Sequence, residues 1–348
     1  MRKQIFFNIL LLFVFSLQSC AKLDDNTKTW FCFQLAGNFG ETKAGQTVAE
    51  NSIKNIWVLQ FNGSTDASTL SKAVYLETLP ADLNNISVQL NNGANQTIYF
   101  ISNTFENTLF NSTNAPINSY TITSLKAKTY NITNESSFVK NYAGLNYLVM
   151  WGKYVGTIPN SSATVMLNRA AAKIVINYSS NLYVGAYRFK IKSIQLKNVP
   201  STASLIPDPA SSTLTNPAAV INYNQYQVPL NVDDCNIGYY SGTVSFYMPE
   251  NVSGVNPSVT DQTLKVKFAQ AKATYLEFLG SGIDENSDEK CNVIFKLYLG
   301  NNITSNYNLN ANSRYNITIV FNGINIGDAR IEVQSFTELE QWSDDVWL

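Results

Sequence analysis

Short stretches in which apolar and polar residues alternate recur along most of the chain. In YRFKIK (187–192), Tyr187, Phe189 and Ile191 alternate with basic residues. Because successive side chains of a strand point to opposite faces, this pattern is typical of a half-buried β-strand. Similar segments, bounded by Asn, Gly and Pro, occur at 29–35, 57–61, 96–102, 172–178, 264–268, 274–280, 292–300 and 315–323. Many short strands at regular spacing predict an all-β chain built of β-sandwiches.

One strand pattern, SFYM, stops abruptly at Met248, which is followed by Pro249. Proline has no N–H to donate to a neighbouring strand, so we expect the strand to end there with Met248 packed inward. Beyond it, we expect Glu250 and Asn251 to bond the backbone of a turn that Gly254 helps to reverse. This is a structural interpretation, and it assigns no catalytic role to Glu250.

Other segments depart from the alternation. After Ile191 the apolar phase shifts, which predicts a bulge or the end of the strand. Residues 134–144 favour a short helix, with Asn134 as its cap and Gly144 as its stop. The segment 198–220 is rich in Pro and Ser and predicts a long loop.

The length of the chain predicts more than one domain. At 348 residues it exceeds what one ordinary core accommodates. The best boundary lies within 156–167, where Pro, Asn and Ser cluster. The predicted organisation is therefore a leader, a first sandwich and a second sandwich with a C-terminal tail, over residues 1–19, 20–160 and 161–348.

Composition narrows the range of functions. The chain has no histidine, which excludes Ser-His-Asp and Cys-His catalysis and histidine-bound metals. A formal net charge of -1 gives no reason to expect nucleic acid as a partner. The carboxylates of 280–291 do not follow the spacing of a calcium loop, so we expect a solvated hairpin there. Asp233-Asp234 and Asp344-Asp345 are neighbours, which a strand would point to opposite faces. We expect no cofactor, no metal and no enzymatic activity.

The N-terminus has the features of an export signal. Arg2 and Lys3 precede an apolar stretch, 5–17, that is of signal-peptide length. It ends in Leu-Gln-Ser-Cys, which resembles a bacterial lipobox and implies cleavage before Cys20 and its lipidation. The alternative is an ordinary secretory signal with an incidental cysteine. We expect a lipid anchor in the outer membrane and exposure at the cell surface.

The remaining cysteines lack metal-binding spacing. Cys32 and Cys291 lie in or beside apolar strand patterns, which predicts core thiols. A disulfide between Cys235 and Cys291 is the alternative in an exported protein.

Several local motifs resemble a known family. MLNRAAAKIVI (166–176), SFYMPENVSG (245–254), ATYLEFLG (273–280) and KLYLGNN with YNLNANSRYNITIVFNG (296–323) resemble the second domain of fimbrillin-like subunits of Bacteroidales type V pili. In the first half, TKAG (42–45), AENSIKNIWVLQFNG (49–63), TIYFISN (97–103) and YLVMWGKYVG (147–156) resemble their first domain. The resemblance covers nearly the whole chain beyond the leader.

That resemblance implies a fold and a mechanism of assembly. Each domain would be a transthyretin-like β-sandwich, and subunits would be exported as lipoproteins. In polymerising members a protease cuts beyond the first strand, the strand leaves, and the tail of another subunit fills the groove. Here the cut would fall between Lys43 and Ala44. Lys43 occupies the position before the cut, where the family usually has Arg.

The two strands of such an exchange can be assigned from the pattern. The displaced strand would be 29–35, with Phe31, Phe33 and Leu35 on its inward face. The donor would be the tail 329–348, which offers the apolar residues Ile331, Val333, Phe336, Leu339, Trp342, Val346 and Leu348. The alternative is that the tail folds back as the last strand of its own sandwich. The expected partners are other fimbrial subunits and a host or bacterial surface ligand in adhesion.

Other function classes stay open from the sequence. A non-polymerising anchor or tip subunit would share the fold. A surface glycan-binding lipoprotein would need an exposed aromatic platform, for which the candidates are Trp30, Trp57, Trp151, Trp342 and Tyr239-Tyr240. A glycoside hydrolase with two carboxylates has no motif to support it.

Overall fold

The computed structural model describes residues 28–37, 52–137, 139–159, 162–180, 187–207, 219–229, 240–286, 288–324 and 330–335. Within these ranges the chain is almost entirely β-structure, with one short α-helix, α1 (Ile122–Lys126). The prediction of an all-β chain is confirmed. No helix in the described part of the chain is long and apolar enough to cross a bilayer.

In chain order the strands are β1 (Lys28–Gly37), β2 (Ile56–Phe61), β3 (Leu70–Leu76), β4 (Ile86–Asn91), β5 (Gly93–Ser102), β6 (Thr129–Asn131), β7 (Val139–Tyr142), β8 (Leu145–Leu148), β9 (Met150–Ile158), β10 (Ala163–Arg169), β11 (Ala172–Ser180), β12 (Arg188–Lys197), β13 (Val199–Pro200), β14 (Thr202–Ser204), β15 (Val220–Ile221), β16 (Tyr226–Gln227), β17 (Tyr240–Met248), β18 (Asn251–Val255), β19 (Tyr275–Ile283), β20 (Glu289–Tyr298), β21 (Asn306–Leu309), β22 (Arg314–Phe321) and β23 (Ile331–Ser335).

The chain forms two compact units that are interleaved in sequence. The first contains residues up to Lys128 together with Lys140–Arg169, and the second contains Thr129–Val139 together with the chain from Ala170 onward. The boundary that we predicted at residue 160 lies before β10, whose partners β9 and β1 belong to the first unit. We call residues 129–139, which the sequence placed in the first domain, the crossing segment.

The first unit is built on a 7-stranded sheet in the order β3-β2-β5-β9-β10-β1-β4. Side chains from β1, β4 and β10 pack in the same core as side chains from β2 and β5. The sheet therefore folds over on itself and encloses one apolar layer, as a β-sandwich does.

The second unit has a 3-stranded sheet, β17-β11-β22, and a 5-stranded sheet, β16-β12-β19-β20-β23. Phe321 of β22 links the two layers. Its ring lies 4.9 Å from that of Phe189 on β12, 5.4 Å from Phe278 on β19 and 5.0 Å from Phe295 on β20. The bulge that the sequence predicted after Ile191 is present in the pairing of β12 with β19.

The end of β17 follows the sequence-based expectation only in part. The strand stops at Met248, which is fully buried. Asn251 is also buried, but its Nδ2 donates to the carbonyl oxygen of Lys272 and to Thr274 Oγ1, 2.9 and 2.8 Å away. It thus ties β18 to a distant segment, while its Oδ1 accepts locally from Ser253 Oγ, 2.7 Å away. Gly254 has a positive φ of 93°, and its N–H donates to Asn308 Oδ1.

Some predicted elements are wrong. Residues 264–268, predicted as a strand, form turns instead. A 3-10 turn at Gln262–Leu264 ends at Leu264, and further turns follow over 265–268. The predicted helix 134–144 is a 3-10 turn at Glu135–Ser137 followed by the hairpin β7–β8. The segment 198–220, predicted as one long loop, contributes β13, β14 and the start of β15.

The cysteines also differ from the prediction. Cys32 is disulfide-bonded, so it is not the core thiol that we predicted. Its partner lies outside the described residues. Cys291 is free and buried, as predicted, and the alternative pair between Cys235 and Cys291 is not formed. Burial raises the pKa of the Cys291 thiol, which keeps the thiol protonated and unreactive.

Candidate functional site

The candidate displaced strand, β1, contributes its inward face to the core of the first unit. Phe31 and Phe33 are 0% and 1% exposed, and Leu35 is also buried. The Phe31 ring lies 5.2 Å from that of Tyr154, and the Phe33 ring lies 4.9 Å from that of Phe100. The alternation that the sequence showed therefore places these side chains inside the sandwich.

β1 is an interior strand with a neighbour on each side. It runs antiparallel to β4, where Phe31 is opposite Val88, and parallel to β10, where Leu35 is opposite Val165. The parallel pairing joins strands that are far apart in sequence. If β1 left, the facing edges of β4 and β10 would lose their backbone partners beside an apolar trench.

The walls of that trench are apolar along their length. Burial alternates strictly on β4 and over the first part of β10, so every second side chain points into the core. The inward residues are Ile86, Val88 and Leu90 on β4 and Ala163, Val165 and Leu167 on β10. An extended segment with apolar residues at every second position would fit this groove in the register that β1 occupies.

The outward face of β1 is more polar. Gln34 Nε2 donates to Thr164 Oγ1 on the neighbouring β10. Trp30 is 38% exposed. Cys32, on the same face, carries the disulfide. The two faces of β1 thus separate core contacts from surface contacts.

The described part of the C-terminal tail lies in the sheet of its own unit. β23 pairs antiparallel with β20, with Val333 opposite Val293 and Ile331 opposite Phe295. The Arg330 guanidinium lies 5.2 Å from the centre of the Phe295 ring. For Ile331 and Val333 the arrangement is therefore the fold-back alternative. The other predicted donor residues, Phe336, Leu339, Trp342, Val346 and Leu348, lie outside the described residues.

Further predicted positions fall outside the described part of the chain. They are the lipidation site Cys20 and the processing site at Lys43 and Ala44. The described chain stops at Gly37 and resumes at Ser52, so the predicted cut lies between β1 and β2 in sequence.

The aromatic platform needed for a glycan-binding protein is not assembled from the predicted residues that the structure describes. Trp57 is 4% exposed, and its Nε1 donates to the Glu106 carbonyl oxygen. Its ring packs against those of Tyr75 and Phe110. Trp151 is half-buried on β9. Trp342, Tyr239 and the side chain of Tyr240 lie outside the described residues.

The acidic loop between β19 and β20 forms the predicted hairpin. Asp284 Oδ1 accepts from the N–H groups of Asn286 and Asp288, both 2.9 Å away. Among the described residues, no group of His, Cys, Asp and Glu is arranged to hold a metal ion.

Comparison with known proteins adds a family profile and several solved structures. A profile described as a domain of unknown function (DUF4906) matches residues 246–319. No curated protein sequence matches the chain.

The structural similarity extends over most of the chain. A fimbrilin (fimA) from Porphyromonas gingivalis superimposes with a TM-score of 0.55 at 12% identity, covering 89% of this chain and 96% of that one. The fold is that of Bacteroidales fimbrial proteins. The tip fimbrial protein Mfa3 from Porphyromonas gingivalis, with a C-terminal truncation, gives a TM-score of 0.52 at 12% identity and covers 89% and 98%. A candidate cell adhesion protein from Parabacteroides distasonis gives 0.56 at 14% identity and covers 88% and 95%.

The sequence missed some features of this site. It did not identify β10 as the parallel neighbour of β1, because pairing between distant segments leaves no local signal. The alternation in ATVMLNR (163–169) would have been sufficient to predict a strand there.

Proposed function

We propose that the chain is a structural subunit of a cell-surface fimbria, polymerised by donor-strand exchange and serving adhesion. The observation that carries the proposal is the position of β1. It is an interior strand near the start of the described chain, with an apolar inward face. A strand near a chain end can leave without unthreading the rest of the fold. The likeness to fimbrial proteins supports the same function.

The energy available to a replacement strand follows from what β1 buries. Full burial of one large apolar side chain contributes about 1.5–3 kcal/mol. The inward residues Phe31, Phe33 and Leu35 together contribute roughly 5–9 kcal/mol before the cost of ordering the strand is subtracted. Backbone pairing on both sides adds to this. A replacement strand with similar side chains would form a long-lived joint.

The donor in this proposal begins after β23. Since Ile331 and Val333 pair within their own sheet, the donor that we assign is the segment from Phe336 to Leu348. It contains Phe336, Trp342, Val346 and Leu348, which would share one face of an extended strand and supply its apolar contacts, whereas Leu339 would lie on the opposite face.

Export and processing complete the proposal. Cys20 would carry the lipid anchor at the outer membrane. Release of the anchor and of β1 would then require both cleavage between Lys43 and Ala44 and opening of the disulfide at Cys32. The proposed partners are other fimbrial subunits and, in adhesion, a ligand on a host or bacterial surface. The chain itself needs no enzymatic activity for this role.

The test uses two sets of tail variants in cells that make filaments. One changes Phe336, Trp342 and Leu348 to Ser, and the matched control changes Gln341 and Ser343, which would lie on the opposite face of an extended strand, to Ala. We expect the apolar set to abolish filaments while folded subunit accumulates, and the control to assemble at the normal yield. Filament yield is measured by electron microscopy and by sedimentation of sheared surface material. Normal filament yield from the apolar set would contradict the proposal.

The N-terminus of the mature protein separates the roles within a fimbria. Protein recovered from filaments is sequenced from its N-terminus. A start at Ala44 supports a polymerising subunit. An intact lipidated Cys20 indicates an anchor, and it rules out the proposed release of β1.

A further inference from the structure

The crossing segment docks on the second unit through backbone pairing. β6 pairs antiparallel with β14, and Tyr130 lies opposite Ala203. Beyond β6, the N–H of Ile132 donates to the carbonyl oxygen of Ser201, 2.8 Å away. The Ile132 side chain is 2% exposed. The segment therefore completes the second unit as an added strand does.

A second attachment is made by one carboxylate. Glu135 follows β6 in the 3-10 turn, and its Oε1 accepts the backbone N–H of Tyr247, 2.6 Å away. Tyr247 lies on β17, which is at one edge of the 3-stranded sheet. The contact thus satisfies a backbone donor on a sheet edge and holds the segment to β17.

The surroundings of Glu135 are poor in compensating charge. Tyr130 on β6 and Tyr223 between β15 and β16 have buried hydroxyl groups that lack a hydrogen-bond partner among the described residues. The Lys173 ammonium on β11 lies 5.1 Å from the centre of the Tyr247 ring and is the cation that acts on Glu135. Glu135 also acts on Tyr223, whose pKa is raised chiefly by burial.

We propose that the crossing segment is a pH-sensitive clasp, which holds the second unit most tightly in acidic solution and loosens as the pH rises to neutrality. The clasp combines a strand pairing that is indifferent to pH with one partly buried carboxyl that is not. This inference concerns the single subunit and does not depend on the proposed function in assembly.

The direction follows from linkage. Burial raises the pKa of the docked Glu135 to about 7, against the lowering effects of the Tyr247 N–H and Lys173, from an ordinary value of 4.5. The docked state therefore binds a proton more tightly than the released state does. Docking is favoured fully below pH 4.5, and the advantage is lost as the pH rises toward 7.

The experiment measures the clasp in the monomer. The protection factor of the Tyr247 amide is determined by hydrogen exchange and NMR between pH 5 and pH 8, in wild type, Glu135→Gln and a control variant. Because the pKa of Glu135 differs between docked and released states, we expect wild-type protection to fall at least about tenfold over this range. Glu135→Gln keeps the size of the side chain without its charge, so protection in this variant should not change with pH.

The control is Glu106→Gln, a charge removal at an exposed residue of the first unit, and it should keep the wild-type fall. If wild-type protection does not change with pH, or if Glu135→Gln falls as steeply as wild type, the proposal is wrong. Should Glu135→Gln fail to fold, the wild-type series and a direct NMR titration of the Glu135 carboxyl still decide. A midpoint near the ordinary value of an exposed glutamate would overturn the proposal.

Discussion

Replacing Phe33 by Ala tests whether β1 holds the first unit together through its inward face. Phe33 is 1% exposed, and its ring lies 4.9 Å from that of Phe100 and 5.8 Å from that of Phe31. Truncating a buried Phe to Ala costs about 3–5 kcal/mol, because contacts are lost and the space is only partly refilled. We expect a loss in this range, since both neighbouring rings are fixed on strands.

The assay is urea unfolding of the purified chain with β1 present, followed by fluorescence and by NMR resonances assigned to each unit. Signals from the first unit should shift to lower urea, and signals from the second unit should not. Gln34→Ala is the matched control. It removes an outward side chain of the same strand, whose cost we expect to stay within about 0.5 kcal/mol.

A loss below about 1 kcal/mol for Phe33→Ala would refute the reasoning, because a buried aromatic residue cannot be removed from a packed core so cheaply. An equal loss for Gln34→Ala would refute it as well, since it would show that the two faces of β1 do not differ. If β1 is the strand that leaves, Phe33→Ala should also speed its displacement by a synthetic peptide of residues 336–348. The peptide is added at fixed concentration, and release of β1 is followed in protein that has been cleaved after Lys43 and whose disulfide at Cys32 has been reduced.

Further predictions concern the second unit. Asn251→Ala should destabilise it by about 1–3 kcal/mol in urea unfolding, because Thr274 and the Lys272 carbonyl lose a buried donor; a loss no larger than that of a surface substitution would contradict this. Although burial opposes it, hydrogen bonds from Lys192, Lys190 and Ser281 lower the pKa of Glu289 to about 2. Its contribution is present above pH 4.5 and is lost as the pH falls toward 2, so thermal melts of wild type should decline there more than those of Glu289→Gln. The effect should stay below about 1 kcal/mol, because the side chain of Glu289 is only partly buried and solvent screens its ion pairs; identical declines would disprove the assignment.

The strands were the most predictable part of the fold. Alternation located β12, and the shift of apolar phase after Ile191 located its bulge, because both are local properties of side-chain direction. Pro249 located the end of β17, because proline has no N–H to donate to a neighbouring strand. The inward face of β1 was predictable from Phe31, Phe33 and Leu35 alone.

The errors have identifiable physical causes. In 264–268 the alternation is present, but Lys265 is 3% exposed, and its Nζ donates to the carbonyl oxygens of Asn302 and Asn306, each 2.8 Å away. These two long-range hydrogen bonds hold residues 264–268 in turns. In 134–144, Ala143 and Gly144 both take positive φ values, 53° and 80°, which form a hairpin turn rather than a helix. Such turns are a known alternative use of glycine at a strand end.

Long-range pairing set the limit of the sequence reasoning. The parallel contact of β1 with β10 and the docking of β6 on β14 both join segments that are distant in the chain. The short helix α1 was missed although Thr121 Oγ1 accepts the Ser124 N–H in a standard cap, because α1 spans only 5 residues and shows no periodicity. The sequence therefore predicted the apolar face of β1, but not β10 as a wall of the candidate groove.

The interleaving of the two units restricts how a gene for this protein can be recombined. An exchange of coding segments at residue 160 would deliver β10 without β1 and β9, and would deliver β14 and β17 without the crossing segment. Each product would inherit a strand from a foreign sheet and lack one of its own. Natural or engineered chimaeras that retain both units should therefore have exchange points that keep residues 129–139 with the sequence after Arg169.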